Sequence, residues 1–285
     1  MTRYPVYGLI AFSVLCMATA SIMIRVSDAP SMIIAFYRVV FTALAAGILS
    51  GPALVDRTRK MDRKDLYLVT GSGFFLALHF AFWNSSLNYT SVASSVLFTN
   101  LQVIFVLFFS IFFLKEKVNQ WVLAGIALAL GGSACIALGD LGNGKLSGDL
   151  LALASGLFVA VYFIIGRQVR MRVDVWTYTS GVSLMAAVVL LAASRLMGLP
   201  MTAYQTKDWI IFLLLALGPG IAGHGSLNWA LKYVKAPIVA VSILGESVGA
   251  SILAWIIFQE SLAWYQLLGG ILILAGIYLA VVHEK

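Results

Sequence analysis

The stretch Ser242-Ile-Leu-Gly-Glu-Ser-Val-Gly-Ala-Ser-Ile-Leu-Ala-Trp255 sets one carboxylate, Glu246, in a run of apolar and small residues. A carboxylate so placed can bind an amine, carry a proton, or hold a neighbouring helix by a hydrogen bond. Arg38, His79, Gln102, His224 and Asn228 interrupt comparable runs elsewhere in the chain. An imidazole can donate, accept or shuttle a proton, and an arginine within a membrane span needs a counter-ion, for which Glu246 is one candidate, or hydrated carbonyls. These side chains are the candidates for chemistry.

Their spacing says which of them can act together. His79, Trp83 and Ser86 stand at i, i+4 and i+7, one face of a helix, and His224 with Asn228 repeats the i, i+4 step. Ser242, Gly245 and Gly249 lie at i−4, i−1 and i+3 from Glu246, a stripe of small residues beside the acid. Two readings fit that stripe: a cavity wall carrying Glu246, or an ordinary Gly-x-x-x-Gly packing face with Glu246 hydrogen-bonded across it. His79 divides in the same way between substrate contact and a structural interhelical bond. Tyr162, and Ser13 with Met17, are cavity candidates by helical face and core candidates equally, while His224 and Asn228 suit a gate or a packing contact. Gly218-Pro219-Gly220, followed by Gly223 and Gly225, predicts a kink, because proline removes a helix hydrogen bond.

The elements that hold these residues are membrane-spanning helices. Of 285 residues, 61% are hydrophobic and 11% charged, and mean hydropathy is +0.96, outside the range of water-soluble domains. Apolar stretches long enough to cross about 30 Å of hydrocarbon recur at 6–26, 31–51, 66–88, 91–113, 118–138, 146–168, 174–197, 208–231, 236–258 and 262–282. The first imitates a signal peptide, with Ala18-Thr19-Ala20 as its cleavage site, but Ile22, Met23 and Ile24 continue the span. Cys16 and Cys135 both fall inside spans and read as small packing residues.

The net charge of +7 is distributed as a topology signal. With the N-terminus inside, Arg3, Arg57, Arg59, Lys60, Arg63, Lys64, Lys115, Lys117, Arg167, Arg170, Arg172, Lys232, Lys235 and Lys285 are inner. Only Arg25, Lys145, Arg195 and Lys207 are outer, and Arg38 is left within a span. The positive-inside rule then puts both termini on the cytoplasmic side, and the expected location is the plasma (bacterial inner) membrane. A nucleic-acid partner is not expected, since no soluble face interleaves basic and aromatic residues.

Sliding the sequence against itself gives one register, an offset of 144. Asn84, Tyr89, Glu116, Gly125 and Gly132 meet Asn228, Tyr233, Glu260, Gly269 and Gly276. Five spans separate the copies, an odd number, so equivalent helices cross in opposite directions: an inverted repeat of residues 1–140 and 141–285. The loop charges agree, Lys115-Glu116-Lys117 becoming Gln259-Glu260-Ser261, and Asn88 and Ser91 becoming Lys232 and Lys235. Glu246 pairs with Gln102, so each half carries a polar side chain near the bilayer midplane, where inverted-repeat transporters build substrate sites. Around Gln102 the stripe of small residues is replaced by Phe98, Leu101 and Phe105.

Each half also has a helix ending in a Glu-containing turn followed by a Gly-containing helix: Phe113-Leu-Lys-Glu-Lys-Val-Asn-Gln-Trp121 with Gly125, and Phe258-Gln-Glu-Ser-Leu-Ala-Trp-Tyr-Gln266 with Gly269. With the Tyr37-Arg38 pair, these residues resemble the EamA family of the drug/metabolite transporter superfamily. The resemblance implies an all-α membrane protein of ten helices in two inverted five-helix halves, exporting small metabolites. YddG-type amino-acid exporters are the nearest functional analogy, on architecture alone. The family often has a proline after the polar residue of the fourth and ninth helices; here Val103 and Ser247 stand there, so no proline-induced break is expected.

The expected function is thus a secondary transporter or facilitator that exports small metabolites such as amino acids by alternating access. Glu246, Gln102, His79, Trp83, Phe98, Tyr162 and Ser242 are the expected substrate residues, with Arg38, His224, Asn228 and Pro219 gating or structural. Drugs, nucleobases or sugars are alternative cargoes. A channel or a membrane-embedded enzyme fits less well: no nucleotide-binding loop, metal-ligand spacing or nucleophile–base pair is recognisable, and no metal or cofactor is expected.

Overall fold

The computed structural model describes residues 4–90, 92–137, 145–259 and 262–284. Arg3, Ser91, Glu260, Ser261, Lys285 and the boundary expected between the halves at 140 and 141 lie outside these residues. The described chain is all helical, and ten helical stretches are long and apolar enough to cross a membrane, within a few residues of the spans expected above.

The first two spans are α1 (Tyr4–Val26) and α2 (Ser31–Ser50), followed by a short helix not foreseen from hydropathy, α3 (Ala53–Arg59). Next come α4 (Arg63–Ser86), the pair α5 (Val92–Asn100) and α6 (Gln102–Phe112), and α7 (Gln120–Ala137). The second half opens with α8 (Leu146–Val169) and α9 (Val175–Leu196), then α10 (Thr206–Leu215), a π-helical stretch (Ala216–Gly225) and α11 (Ser226–Ala230). It ends with α12 (Ala236–Ile243), α13 (Gly245–Phe258) and α14 (Trp264–Val282). The span ends that share a face with both termini are called the base here; the opposite ends form the mouth.

The kink expected at Pro219 takes another form. Pro219 offers no N–H to its own turn, and Gly218, Gly220, Gly223 and Gly225 leave the backbone free to widen, so ten residues adopt π-helical geometry. A side chain at Gly223 would come within 2.7 Å of Met17 Cγ, and Thr42 Oγ1 donates to Ala216 O at 3.4 Å. The stretch therefore lies close against α1 and α2.

Without a hydrophobic drive between helices in lipid, close association depends on van der Waals fit, which small residues permit. The pairing of α7 with α14 shows this directly. A Cβ added to Gly125 would stand 2.5 Å from Gly276 O, and one added to Gly132 would stand 2.5 Å from Gly269 O. A shift of 144 residues exchanges the two contacts, the relation an axis in the membrane plane would impose. Replacing Gly132 by Ile is expected to push α7 and α14 apart and cost about 1–3 kcal/mol, as overpacking does. Gly131, beside which a Cβ meets nothing within 4 Å, is the control. A lower midpoint of thermal unfolding in detergent for Gly132→Ile than for Gly131→Ile supports this packing, and equal midpoints contradict it.

Candidate functional site: a central cavity

Two spans are discontinuous at the depth of the polar pair. Between α5 and α6, Leu101 N–H donates to Phe98 O at 3.3 Å and Ile104 N–H to Leu101 O at 2.9 Å. Between α12 and α13, Leu244 N–H donates to Val241 O at 3.1 Å and Ser247 N–H to Leu244 O at 3.2 Å. These i to i−3 bonds are a tight 3₁₀-type turn, made without proline. Gln102 is the first residue of α6 and Glu246 the second of α13, so both sit in the first turn after a break.

The breaks face a cavity of about 590 Å³. Glu246, Gln102, His79, Trp83, Arg38 and His224 all line it, joined by Met17, Phe80, Asn100, Phe163, Ser247 and Tyr265. The small stripe beside Glu246 has its own partner: a Cβ on Gly249 would lie 2.7 Å from Ala18 Cβ, and one on Gly245 3.3 Å from Val14 Cγ1. The stripe is thus a packing face, but without, among the described residues, the hydrogen bond from Glu246 that the packing reading included. Gly245 and Gly249 pack on α1, while Glu246 looks into the cavity.

Five of the expected residues, Ser242, Phe98, Tyr162, Asn228 and Pro219, do not line it. Ser242 and Phe98 precede the breaks, and the tighter turn takes them off the faces of Glu246 and Gln102; counting along unbroken helices had joined them. Ser242 Oγ instead donates to Ile238 O at 2.8 Å, on its own helix. Tyr162 is 1% exposed and donates to Asn228 Oδ1 at 2.7 Å, so this pair ties α8 to α11 beneath the cavity. Pro219 is buried within the π-helical stretch, and Ser13, an early candidate, donates to Leu9 O at 2.6 Å.

The polar groups that do line the cavity are incompletely satisfied. His79 Nδ1 is held by Ser155, 2.8 Å from its Oγ. His224 Nδ1 and Gln102 Oε1 are buried with no hydrogen-bond partner among the described residues. The Arg38 guanidinium lies over the Phe80 ring, Cζ to centroid 4.9 Å, a cation–π contact of about 0.5–2 kcal/mol. No ion pair or hydrogen bond joins the side chain of Arg38 or of Glu246 to another described residue. Asn100, which the sequence reading missed, donates to Ser133 Oγ at 3.1 Å and Ser247 Oγ at 3.3 Å. Its signal was its place two residues before Gln102. Among the described residues no three His, Cys, Asp or Glu side chains converge as a metal site.

The two ends of the cavity differ. Away from the midplane its lining comes from the mouth halves of the spans: Arg25, Leu87, Ala254, Leu262 and Gln266. The base is sealed by polar contacts. Arg167 Nε donates to Glu116 Oε1 at 2.9 Å and its Nη1 to Leu231 O at 2.5 Å. Tyr7 Oη and Lys235 N–H both donate to the Glu284 carboxylate, at 2.5 and 2.8 Å. Arg172 grips Asp65 through both nitrogens it offers, and Tyr178 Oη lies 2.6 Å from Ser72 Oγ.

Comparison with known proteins matches this architecture to one family. The model of the EamA-like transporter family matches the chain twice, over residues 5–138 and 146–282. An uncharacterized transporter of Archaeoglobus fulgidus is 25% identical over 272 residues, covering 95% of this chain and 94% of its own. Human solute carrier family 35 member G1 is 26% identical over 275 residues, covering 88% and 72%. A solved crystal structure superposes with a TM-score of 0.81 at 20% identity, over 100% of this chain and 99% of the other, which is a likeness of fold alone. Spans, motifs and both family matches lead to one assignment: this chain, a multi-pass membrane protein, belongs to the EamA-like transporter family.

Proposed function

We propose that the protein is a secondary transporter or facilitator that exports small metabolites, amino acids foremost, by alternating access around the central cavity. The observation that carries this reading is the cavity itself: polar at the midplane, approached from the mouth and closed at the base. Two inverted halves supply the means of reversal, because two similar units can pack in two related ways. The double family match and the exchangeable glycine contacts support that organisation. With both termini cytoplasmic, as the basic residues favour, the described state faces outward. Glu246 supplies the acceptor for a substrate amine, and Phe80, Trp83 and Phe163 cover its apolar part.

Removing a base contact is expected to change the balance of states. In a variant lacking Cys16 and Cys135, a cysteine at Ala230, buried near the base, is poorly labelled by an impermeant maleimide. Arg167→Gln removes a charge-assisted contact of about 1.5–3 kcal/mol. The base-open population should then rise about 10- to 100-fold, and labelling of the Ala230 position from the cytoplasmic side should accelerate. Unchanged labelling would show that the base contacts do not act as a gate.

Glu246→Gln keeps shape and hydrogen-bonding capacity and removes the charge. In proteoliposomes it is expected to raise the apparent KM for amine-bearing solutes about 10-fold or more, while solutes without an amine keep wild-type kinetics. Wild-type kinetics for every solute carried would return Glu246 to a packing role. No transport of amino acids, nucleobases or sugars by the wild type would remove the transporter reading for these cargoes.

A further inference from the structure

We propose that the cavity takes a zwitterion end on, its carboxylate on the Arg38 guanidinium and its ammonium between Glu246 and Gln102 Oε1. The inference rests on the transporter reading and names the substrate class for it. Arg38 is 6% exposed, lines the cavity and has no ion-pair partner within 4.0 Å among the described residues. The arginines of the base differ: Arg167 has Glu116 and Arg172 has Asp65. A planar fork of N–H donors over an aromatic face and lining the cavity can hold a carboxylate bidentately.

The second pole is made of acceptors. Glu246 lines the same cavity, also without a hydrogen-bonded partner, and Gln102 Oε1 is buried and unpartnered. Each belongs to a different half and sits just past a helix break, so the two approach the cavity from opposing spans. An ammonium donates three N–H bonds and can use both. One cation and one acid in a shared space of low dielectric also restrict the ligand's charge. A simple amine leaves Arg38 buried without a counter-ion and a simple acid leaves Glu246 so; a zwitterion compensates both. Discrimination of this kind is strong, because the rejected ligand strands a buried polar group. The volume, about 590 Å³, suits an amino acid with a large apolar side chain, which would lie against Trp83, Phe163 and Tyr265.

The test is competition in proteoliposomes among L-phenylalanine, phenethylamine, which lacks the carboxylate, and 3-phenylpropionate, which lacks the amine. L-leucine with isopentylamine and 4-methylpentanoate is a second set. For wild type, each one-pole analogue is expected to bind at least 10-fold more weakly than its parent amino acid. Arg38→Gln should abolish the discrimination against the amine but keep that against the acid, and Glu246→Gln should do the reverse. Arg38→Lys keeps the charge without the fork and should fall between wild type and Arg38→Gln; it also serves if Arg38→Gln fails to fold. Equal binding of parent and amine by wild type, or full discrimination retained by either Arg38 variant, would overturn the proposal. Wild-type transport confined to neutral or singly charged solutes would overturn it and leave the transporter reading standing, whereas no transport of any solute would remove that reading itself.

Discussion

A charge within hydrocarbon must be compensated, and the rest of this structure is arranged around how that demand is met. At the base the answer is local: Arg167 meets Glu116, Arg172 meets Asp65, and the Glu284 carboxylate takes donors from α1 and from the start of α12. Farther from the base, Arg38 and Glu246 line one cavity and neither has an ion-pair partner among the described residues. The base is thereby closed and the cavity left able to take a polar ligand. The same physics serves two purposes at two depths.

Backbone geometry makes the second purpose possible. A continuous α-helix at Gln102 or Glu246 would stack each on the residue four before it. The 3₁₀-type turns at Leu101 and Leu244 rotate the two halves of each span, so that Gln102 and Glu246 face inward while Phe98 and Ser242 do not. On the other wall the π-helical stretch carries His224 to the cavity and brings glycine backbone close to α1 and α2. Glycine at Gly125, Gly132, Gly269 and Gly276 closes α7 on α14, two of the helices whose residues line the cavity.

Much of this was legible in the sequence. Hydropathy located all ten spans because water exclusion acts on every residue of a span, and Glu246, Gln102, Arg38, His79, Trp83 and His224 stood out as polar interruptions. The 144-residue offset drew attention to Gln102, which composition alone would pass over. What failed was inference across a helix break. Ser242 and Phe98 were placed by counting 3.6 residues per turn through turns that are tighter, and nothing in Asn100-Leu101 or Leu244-Gly245 marks such a turn without proline. Tyr162 and Asn228 satisfy each other, a pairing between distant positions that no local pattern encodes.

The central claim is that mouth and base open in alternation around the polar cavity. Its most direct test is a pair of spin-label distance measurements in lipid nanodiscs, one across the mouth between Tyr89 and Trp264 and one across the base between Lys117 and Lys232, each with both residues replaced by labelled cysteine. The account predicts that a transported amino acid shortens the mouth distance and lengthens the base distance in the same fraction of molecules. Distances that stay fixed with every transported solute, or that lengthen together, would contradict it.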